Sequence, residues 1–415
     1  MKSYIQSFKN SSFIREFSWY TLASVVVQVF SFIGMIIVSR YLGPINLGLL
    51  SFVQNYLAIF MVILGAMDYY FTFHITKSQN HTKDTFDYII TKTQVAFLIS
   101  IVGIFTAYTF LPNDVFALSL ILFVPVFLNG LSAFITYAQA QRMAKLIAVT
   151  QISFAFVFLV SKIVLVLLNA LLKYFILIQA LDGVATSLIL GYYFLFIKKW
   201  KFNIGTTFPV FDFKSTFKFL YDIRYNLVLV GFWQLVMRAD QLILAKMSNA
   251  YTLGIYSAAV KLAEAPNAIV TVLGIVVFPR VAKQLNIKNL SDSGQVNKYR
   301  NLYVLSGILI TTFLFVFAPF IIRILYGDKF LESVDVLRVY SLSITGLFIS
   351  YYYMIVCGAT EEKVRPAIIA VISALINISL VIILTHFYGI LGTAAASAIS
   401  YSVSGAMFYF VFRKK

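Results

Sequence analysis

The chain has 415 residues, of which 60% are hydrophobic, 17% aromatic and only 12% charged. Its mean hydropathy of +0.88 leaves too little polar surface for a soluble globular domain. A net charge of +17 would indicate a nucleic-acid partner in a soluble protein, but basic residues also accumulate in the cytoplasmic loops of membrane proteins. The composition therefore predicts an integral membrane protein that binds no nucleic acid.

Apolar runs long enough to cross a bilayer recur along the whole chain. A membrane span needs about 20 helical residues with few charges, and residues 19–39 form the first such run. The predicted spans are 17–39, 47–67, 88–110, 116–138, 147–168, 174–196, 221–245, 254–278, 302–324, 334–357, 364–386 and 389–411. The predicted fold class is an all-α integral membrane protein, with about twelve transmembrane helices in two six-helix lobes.

The loops between the spans predict the orientation and the domains. Most of the excess of Lys and Arg lies on the side that also holds both termini, so both termini are expected to be cytoplasmic. Residues 1–196 form the predicted N-terminal lobe and residues 221–415 the C-terminal lobe. Residues 197–220, rich in Phe and Lys, are typical of an amphipathic linker along the cytoplasmic interface. No loop is long enough for a soluble catalytic domain, so function is expected among the helices.

The two lobes are expected to be a duplication, because a shift of 206 residues aligns similar residues without a gap. The aligned pairs are Gln28 with Gln234, Arg40 with Lys246, Leu47 with Leu253, Gly48 with Gly254 and Ser51 with Ser257. Six spans return the chain to its starting side. The halves would therefore be parallel repeats about an axis along the membrane normal, with a cavity between them.

Charged residues inside the spans are the first candidates for function, because each costs roughly 2.5 to 3.5 kcal/mol at the bilayer centre. Equal depth in neighbouring helices predicts three ion pairs: Lys162 with Asp182, Arg238 with Glu264, and Asp240 with Lys261. The last two pairs cannot both be ideal, because Arg238 and Asp240 point to different sides of their helix. These six side chains are either structural ion pairs or the lining of a hydrated, cationic cavity.

Polar stripes on two spans favour the cavity. Gln28 in the first span and Gln234 in the seventh each belong to a stripe with three- and four-residue spacing. The alternative is a polar seam between packed helices. The three histidines and one cysteine lack metal-ligand spacing, and the chain contains no Walker-type phosphate loop. We therefore expect no enzymatic activity, no metal site and no cofactor, with a proton or sodium ion as the candidate coupling ion.

Two hairpins resemble a known family. Residues 40–48 contain the pattern R-x-L-G-P followed by Gly, which resembles the first hairpin of Wzx-type polysaccharide flippases. Residues 238–246 (RADQLILAK) and 253–264 (LGIYSAAVKLAE) are similar to the seventh and eighth spans of that family. Weaker matches follow in the expected order at residues 137–145, 325–330 and 388–395.

The resemblance implies a member of the multidrug/oligosaccharidyl-lipid/polysaccharide exporter superfamily, with two six-helix lobes in a V. The implied function is a flippase that moves an undecaprenyl-diphosphate-linked oligosaccharide repeat unit from the cytoplasmic to the outer leaflet by alternating access. The implied products are O-antigen in lipopolysaccharide, or capsule. The implied location is the bacterial cytoplasmic (inner) membrane, among membrane lipids and polysaccharide polymerase machinery.

A diphosphate headgroup needs cationic partners once it leaves water. The candidate substrate-binding residues are Arg40, Lys162, Arg238, Lys261, Gln28 and Gln234. The candidates for ion coupling or ion pairing are Asp182, Asp240 and Glu264. The resemblance covers Arg40, Arg238, Asp240, Lys261 and Glu264, whereas Lys162 and Asp182 follow from their place in the spans alone.

Three other functions remain open at this point. A multidrug exporter of the same superfamily would need an acidic rather than a basic cavity. A lipid II flippase is similar in chemistry but typically has two additional spans. A membrane enzyme of polysaccharide assembly would convert a lipid-linked oligosaccharide into a longer product.

Overall fold

A computed structural model describes residues 12–77, 81–200, 220–221, 223–267, 269–270, 273–274, 277–278, 280–281, 294–360 and 362–412. Its α-helices are α1 Ser12–Lys77, α2 His81–Phe110, α3 Asn113–Phe127, α4 Ala133–Ala140, α5 Ala144–Leu167, α6 Leu172–Tyr192, α7 Arg224–Met247, α8 Ala250–Glu264, α9 Gly294–Leu325, α10 Ser333–Ser341, α11 Ser343–Ala359 and α12 Val364–Phe412. Leu128–Ser132 and Asp328–Phe330 are 3₁₀ segments, and Tyr193–Ile197 is π-helical. These ranges contain no strand, which agrees with the predicted all-α class.

Glycines divide the two longest helices. Gly43 in α1 has φ 70° and Gly389 in α12 has φ 57°, and only glycine adopts such angles without strain. Within the described ranges, eight helices are long and apolar enough to span a membrane, or nine if α10 and α11 form one bent span. Dividing α1 and α12 at their glycines raises the number of candidate spans in these ranges from nine to eleven. The remaining predicted span, 254–278, lies partly outside the described residues.

The outer faces of these helices are apolar. Large hydrophobic side chains remain exposed along them, including Phe105 at 65%, Leu167 at 75% and Phe387 at 71%. Soluble monomers rarely leave apolar side chains exposed at this density, whereas lipid accepts them. The chain is therefore a multi-pass membrane protein. The cytoplasmic placement of both termini remains a prediction, and residues 1–11 and 413–415 lie outside the described ranges.

Contacts divide the chain into two compact units. The first contains residues 1–38 and 60–224, and the second contains residues 39–59 and 225–415. This division differs from the predicted lobes, because residues 39–59 of the first half pack within the second unit. The predicted linker, residues 197–220, lies mostly outside the described ranges, and its interfacial role remains a prediction.

Two glycines allow residues 39–59 to pack against α8. A Cβ at Gly48 would collide with the carbonyl oxygen of Ala250, and a Cβ at Gly254 would collide with that of Pro44. Positions 44 and 250 are 206 residues apart, as are positions 48 and 254. The contact is therefore reciprocal, as between two copies related by a two-fold axis. This reciprocity supports the predicted duplication.

Candidate functional site

Arg238 of α7 and Glu264 of α8 form an ion pair inside the second unit, which confirms the predicted pairing. Arg238 Nη1 lies 3.4 Å from each carboxylate oxygen of Glu264. The two side chains are 27% and 21% exposed, so the pair borders accessible space. A distance of 3.4 Å is long for a charge-assisted hydrogen bond between a guanidinium and a carboxylate.

Aromatic side chains lie near this ion pair. Tyr340, Tyr351 and Tyr401 lie within electrostatic range of Arg238 or Glu264. The rings of Trp233 and Tyr351 meet edge to face, with centroids 6.1 Å apart. Such rings combine apolar bodies with polar tips. Apolar ring surface near an ion pair lowers the local polarity, and electrostatic attraction is stronger there than in water.

Asp240 has different partners from those predicted. Its side chain is buried and accepts hydrogen bonds from the Tyr256 hydroxyl at 2.6 Å, the Ser397 hydroxyl at 3.0 Å and the backbone N–H of Gln241 at 2.7 Å. The predicted pairing with Lys261 was therefore wrong, because one turn of α8 presents Tyr256 to Asp240 and α12 supplies Ser397. In the described residues, no three His, Cys, Asp or Glu side chains come together as metal ligands.

Lys261 instead contacts the second part of α1. Its Nζ donates to Gln54 Oε1 at 3.4 Å. Next to it, the Gln241 side-chain oxygen accepts from Asn55 Nδ2 and from Ser257 Oγ, each at 2.9 Å. The structure thus places polar residues of α1, α7 and α8 side by side. Sequence reasoning did not identify Gln54 and Asn55, although both are polar residues inside the predicted second span.

Lys162 and Asp182 lie in the first unit, on α5 and α6. They interact electrostatically, as their equal depth predicts. The stem of Lys162 crosses Gly34 of α1, where an added Cβ would lie 3.2 Å from Lys162 Cδ. Gly34 therefore leaves the space that the lysine stem occupies.

The remaining candidates lie apart from these groups. Arg40 is exposed, and its Nε is 3.7 Å from the position of a Cβ at Gly327, in the loop after α9. Gln28 Nε2 donates to Ser24 Oγ at 3.1 Å along the predicted stripe. Gln234 is half-buried, one turn before Arg238 on α7. Substrate binding by these residues stays a prediction.

Sequence reasoning missed one ion pair in the first unit. Lys92 of α2 is fully buried, and its Nζ lies 2.6 Å from Asp68 Oδ2 of α1. The predicted second span ends at residue 67 and so leaves Asp68 in a loop, but α1 continues to Lys77 and places Asp68 inside the helix. The available signal was Lys92 itself, a charge inside the predicted span 88–110.

The fold and the intramembrane charges define a multi-pass membrane protein with the architecture of transporters. The structure resembles the lipid II flippase MurJ in its inward closed conformation, with a TM-score of 0.73 and 16% identity, covering 94% of this chain and 87% of that one. A eukaryotic MATE transporter matches with a TM-score of 0.70 and 14% identity, covering 97% and 98%. A MOP superfamily transporter from Pyrococcus furiosus matches with a TM-score of 0.61 and 14% identity, covering 97% and 95%.

The family itself is shown by sequence. The family model described as polysaccharide biosynthesis protein matches residues 13–285, more than half of the chain. The chain therefore belongs to the polysaccharide biosynthesis protein family, in agreement with the resemblance found in its hairpins. A search of curated protein sequences gave no match.

Proposed function

We propose that the protein is a flippase that moves an undecaprenyl-diphosphate-linked oligosaccharide repeat unit from the cytoplasmic to the outer leaflet by alternating access. The proposed location is the bacterial cytoplasmic membrane, with both termini inside and with polysaccharide polymerase machinery as a partner. Family membership and the transporter fold support this proposal. The proposed product is O-antigen or capsule, depending on which sugars the lipid-linked substrate carries.

The Arg238–Glu264 pair is the observation that carries the proposal. A guanidinium inside a membrane span is costly unless it has an anionic partner. Glu264 is that partner in the structure, at 3.4 Å and with part of its surface accessible. A diphosphate has more charge and more acceptor oxygens than one carboxylate, and arginine binds phosphate through two parallel hydrogen bonds. The substrate headgroup would replace Glu264 on Arg238, and Glu264 would return after release.

The driving force can come from the membrane potential or from an ion. Moving one negative charge outward through about 100 mV is favourable by about 2.3 kcal/mol in a cell with a negative interior. Proton or sodium coupling would involve the carboxylates Asp182, Asp240 and Glu264. Of these, Asp240 is the most enclosed, with three hydrogen-bond donors around it.

A lipid II flippase is the second candidate, favoured by the structural similarity to MurJ. Its substrate carries the same diphosphate, so Arg238 would serve both. A multidrug exporter would favour a carboxylate without a neighbouring guanidinium at this place. The identity of the lipid that accumulates inside cells lacking the protein distinguishes the first two candidates.

The test is to replace Arg238 by Gln and by Lys. Arg238→Gln should abolish export of the polysaccharide while the protein remains inserted, and Arg238→Lys should restore part of it because lysine cannot form the paired hydrogen bonds. Arg323→Gln is the matched control, since Arg323 forms an ion pair of the same 3.4 Å length with Asp328 but is 75% exposed. Normal export by Arg238→Gln would show that the pair is structural and that the diphosphate-binding role is wrong.

A further inference from the structure

An aromatic cluster lies at the end of the first unit where α4 and the π-helical segment end. Phe134 and Phe194 form part of its buried centre. The ring of Trp200 packs against this centre, with its centroid 4.8 Å from that of Phe194 and 4.7 Å from that of Tyr137. Side chains of α1, α2 and α5 pack against the same centre. The cluster therefore brings several helices together at one place.

Four exposed cations adjoin this cluster, each one or two residues along the chain from a member of it. They are Arg142, Lys145, Lys198 and Lys199, and we call them the basic group. Lys145 Nζ is 5.9 Å from the ring centroid of Trp19. Lys198 Nζ is at the same distance, 5.9 Å, from the ring centroid of Tyr193. An ammonium at this distance is attracted to the face of the ring, so cations and aromatic rings form one mixed surface.

Positive charge predominates at this surface. The first two turns of α2 reach it through Phe86, whose ring centroid is 5.8 Å from that of Trp200. These turns contain one more lysine, Lys83, and two carboxylates, Asp84 and Asp87. Within the described ranges, no carboxylate forms a salt bridge with a member of the basic group. The surface therefore has a net positive charge and is complementary to an anionic partner.

Two members of the basic group have an unfavourable backbone conformation. Arg142 has φ 58° and Lys199 has φ 52°, in the left-handed region. Arg142 closes the C-terminus of α4 at the position where glycine is usual. The corresponding turn after α5 has Asn169, a residue that adopts this conformation more readily. Backbone strain of this kind persists mainly where a side chain serves a function. The long cationic side chains are therefore candidates for a binding role.

Exposed apolar side chains place the basic group at the edge of the lipid-facing surface. Phe196 is 67% exposed and Ile197 is 59% exposed, directly before Lys198. On α5, Val149 is 47% exposed, one turn after Lys145. Tryptophan and tyrosine are enriched at the level of the lipid headgroups, and both occur in this cluster. The cations therefore lie where lipid phosphates are found.

We propose that this surface binds anionic phospholipids, and that the basic group holds their phosphate groups. Guanidinium and ammonium groups donate charge-assisted hydrogen bonds to phosphate oxygens. The acyl chains lie against the exposed apolar side chains of α5 and of the π-helical segment. A free phosphate ion has no acyl chain, so the apolar surroundings favour a lipid over a soluble anion. The proposal concerns the lipids bound to the first unit and does not depend on the proposed function.

Tryptophan fluorescence tests the proposal. Trp19 and Trp200 adjoin the basic group, whereas the third tryptophan, Trp233, is in the second unit and is 8% exposed. The full-length protein is placed in nanodiscs of phosphatidylcholine and phosphatidylglycerol in equal amounts, without lipid-linked oligosaccharide. Bromine on the acyl chains of one lipid quenches the tryptophans that this lipid contacts. Two samples, with bromine on one lipid or on the other, have the same headgroups and the same charge.

The wild-type protein should be quenched more strongly when phosphatidylglycerol carries the bromine. Its relative association constant for phosphatidylglycerol should be about fivefold or more, because one basic residue near an anionic membrane surface contributes a factor of about five. The neutral variant has Gln at all four positions of the basic group and should be quenched equally by both lipids. The matched control loses the same charge at four exposed cations elsewhere and should keep the wild-type preference. Its substitutions are Lys173→Gln, Lys246→Gln, Arg323→Gln and Lys329→Gln.

Two further variants separate charge from backbone strain. Arg142→Lys with Lys199→Arg keeps both charges and should keep the lipid preference. Arg142→Gly with Lys199→Gly removes both charges and relieves the strain. It should reduce the lipid preference, yet melt at a higher temperature than the wild type in nanodiscs of phosphatidylcholine alone.

Equal quenching of the wild type by the two brominated lipids would overturn the proposal. A preference that persists in the neutral variant would also overturn it, because the lipid would then be held by other residues. Loss of the preference in the matched control would reduce the effect to net charge. A glycine variant that keeps the preference would leave these two cations with a role at the helix macrodipole or in topology only. If that variant melts below the wild type, the argument from strain is wrong.

Discussion

The crossing of α1 and α8 at Gly48 and Gly254 gives the sharpest prediction on packing. Gly254→Ala places a Cβ in the space occupied by the carbonyl group of Pro44, so the two backbones must move apart by roughly an ångström. Overpacking of this kind costs about 1 to 3 kcal/mol. Alanine also favours a helix over glycine by about 1 kcal/mol, a gain that applies at any helical glycine.

Gly65→Ala isolates the packing cost from that gain. Gly65 lies inside α1 with nothing within 4 Å of an added Cβ, so its substitution should be neutral or slightly stabilising. At about 2 °C per kcal/mol for a large chain, Gly254→Ala should melt roughly 2 to 6 °C below Gly65→Ala in the same detergent. Gly48→Ala should have a similar effect, because its Cβ meets the carbonyl of Ala250 at the same crossing.

The double variant tests whether the two glycines act at one contact. Once the first alanine has moved the helices apart, the second should add less than its separate cost, so the effects should not sum. Purified protein followed by thermal unfolding gives all four values, and export in cells shows whether the crossing matters for function. If Gly254→Ala melts at the same temperature as Gly65→Ala, stability does not require the close approach of α1 and α8, and the reasoning fails.

Two other outcomes are expected. Tyr256→Phe removes a 2.6 Å hydrogen bond to the buried carboxylate of Asp240 and should lower the free energy of unfolding by about 1.5 to 3 kcal/mol. The control Tyr326→Phe should leave the free energy of unfolding unchanged, because the buried Tyr326 hydroxyl has no hydrogen-bond partner. Equal melting temperatures of the two variants would contradict the role given to Tyr256. Reporters active on one side of the membrane, fused at Lys415 and inserted at Lys246, should give opposite signals, and equal signals would overturn the predicted topology.

The sequence by itself determined the membrane class, the predicted spans and the pairing of Arg238 with Glu264. Hydrophobicity and length are local properties, since a span must satisfy its own backbone hydrogen bonds in lipid whatever its neighbours are. Depth in an antiparallel hairpin is also set by counting residues from the turn. Arg238 and Glu264 flank one short turn at equal distances, so counting was sufficient.

Tertiary structure alone decided which faces of the helices meet. Asp240 lies at the same depth as Lys261, but depth does not specify rotation about the helix axis, and the carboxylate faces Tyr256 and Ser397 instead. Asp68 and Lys92 lie in consecutive helices, yet their meeting depends on how α1 packs against α2. Side-chain partners between helices depend on rotation and crossing angle, which arise from the packing of the whole bundle rather than from any one segment.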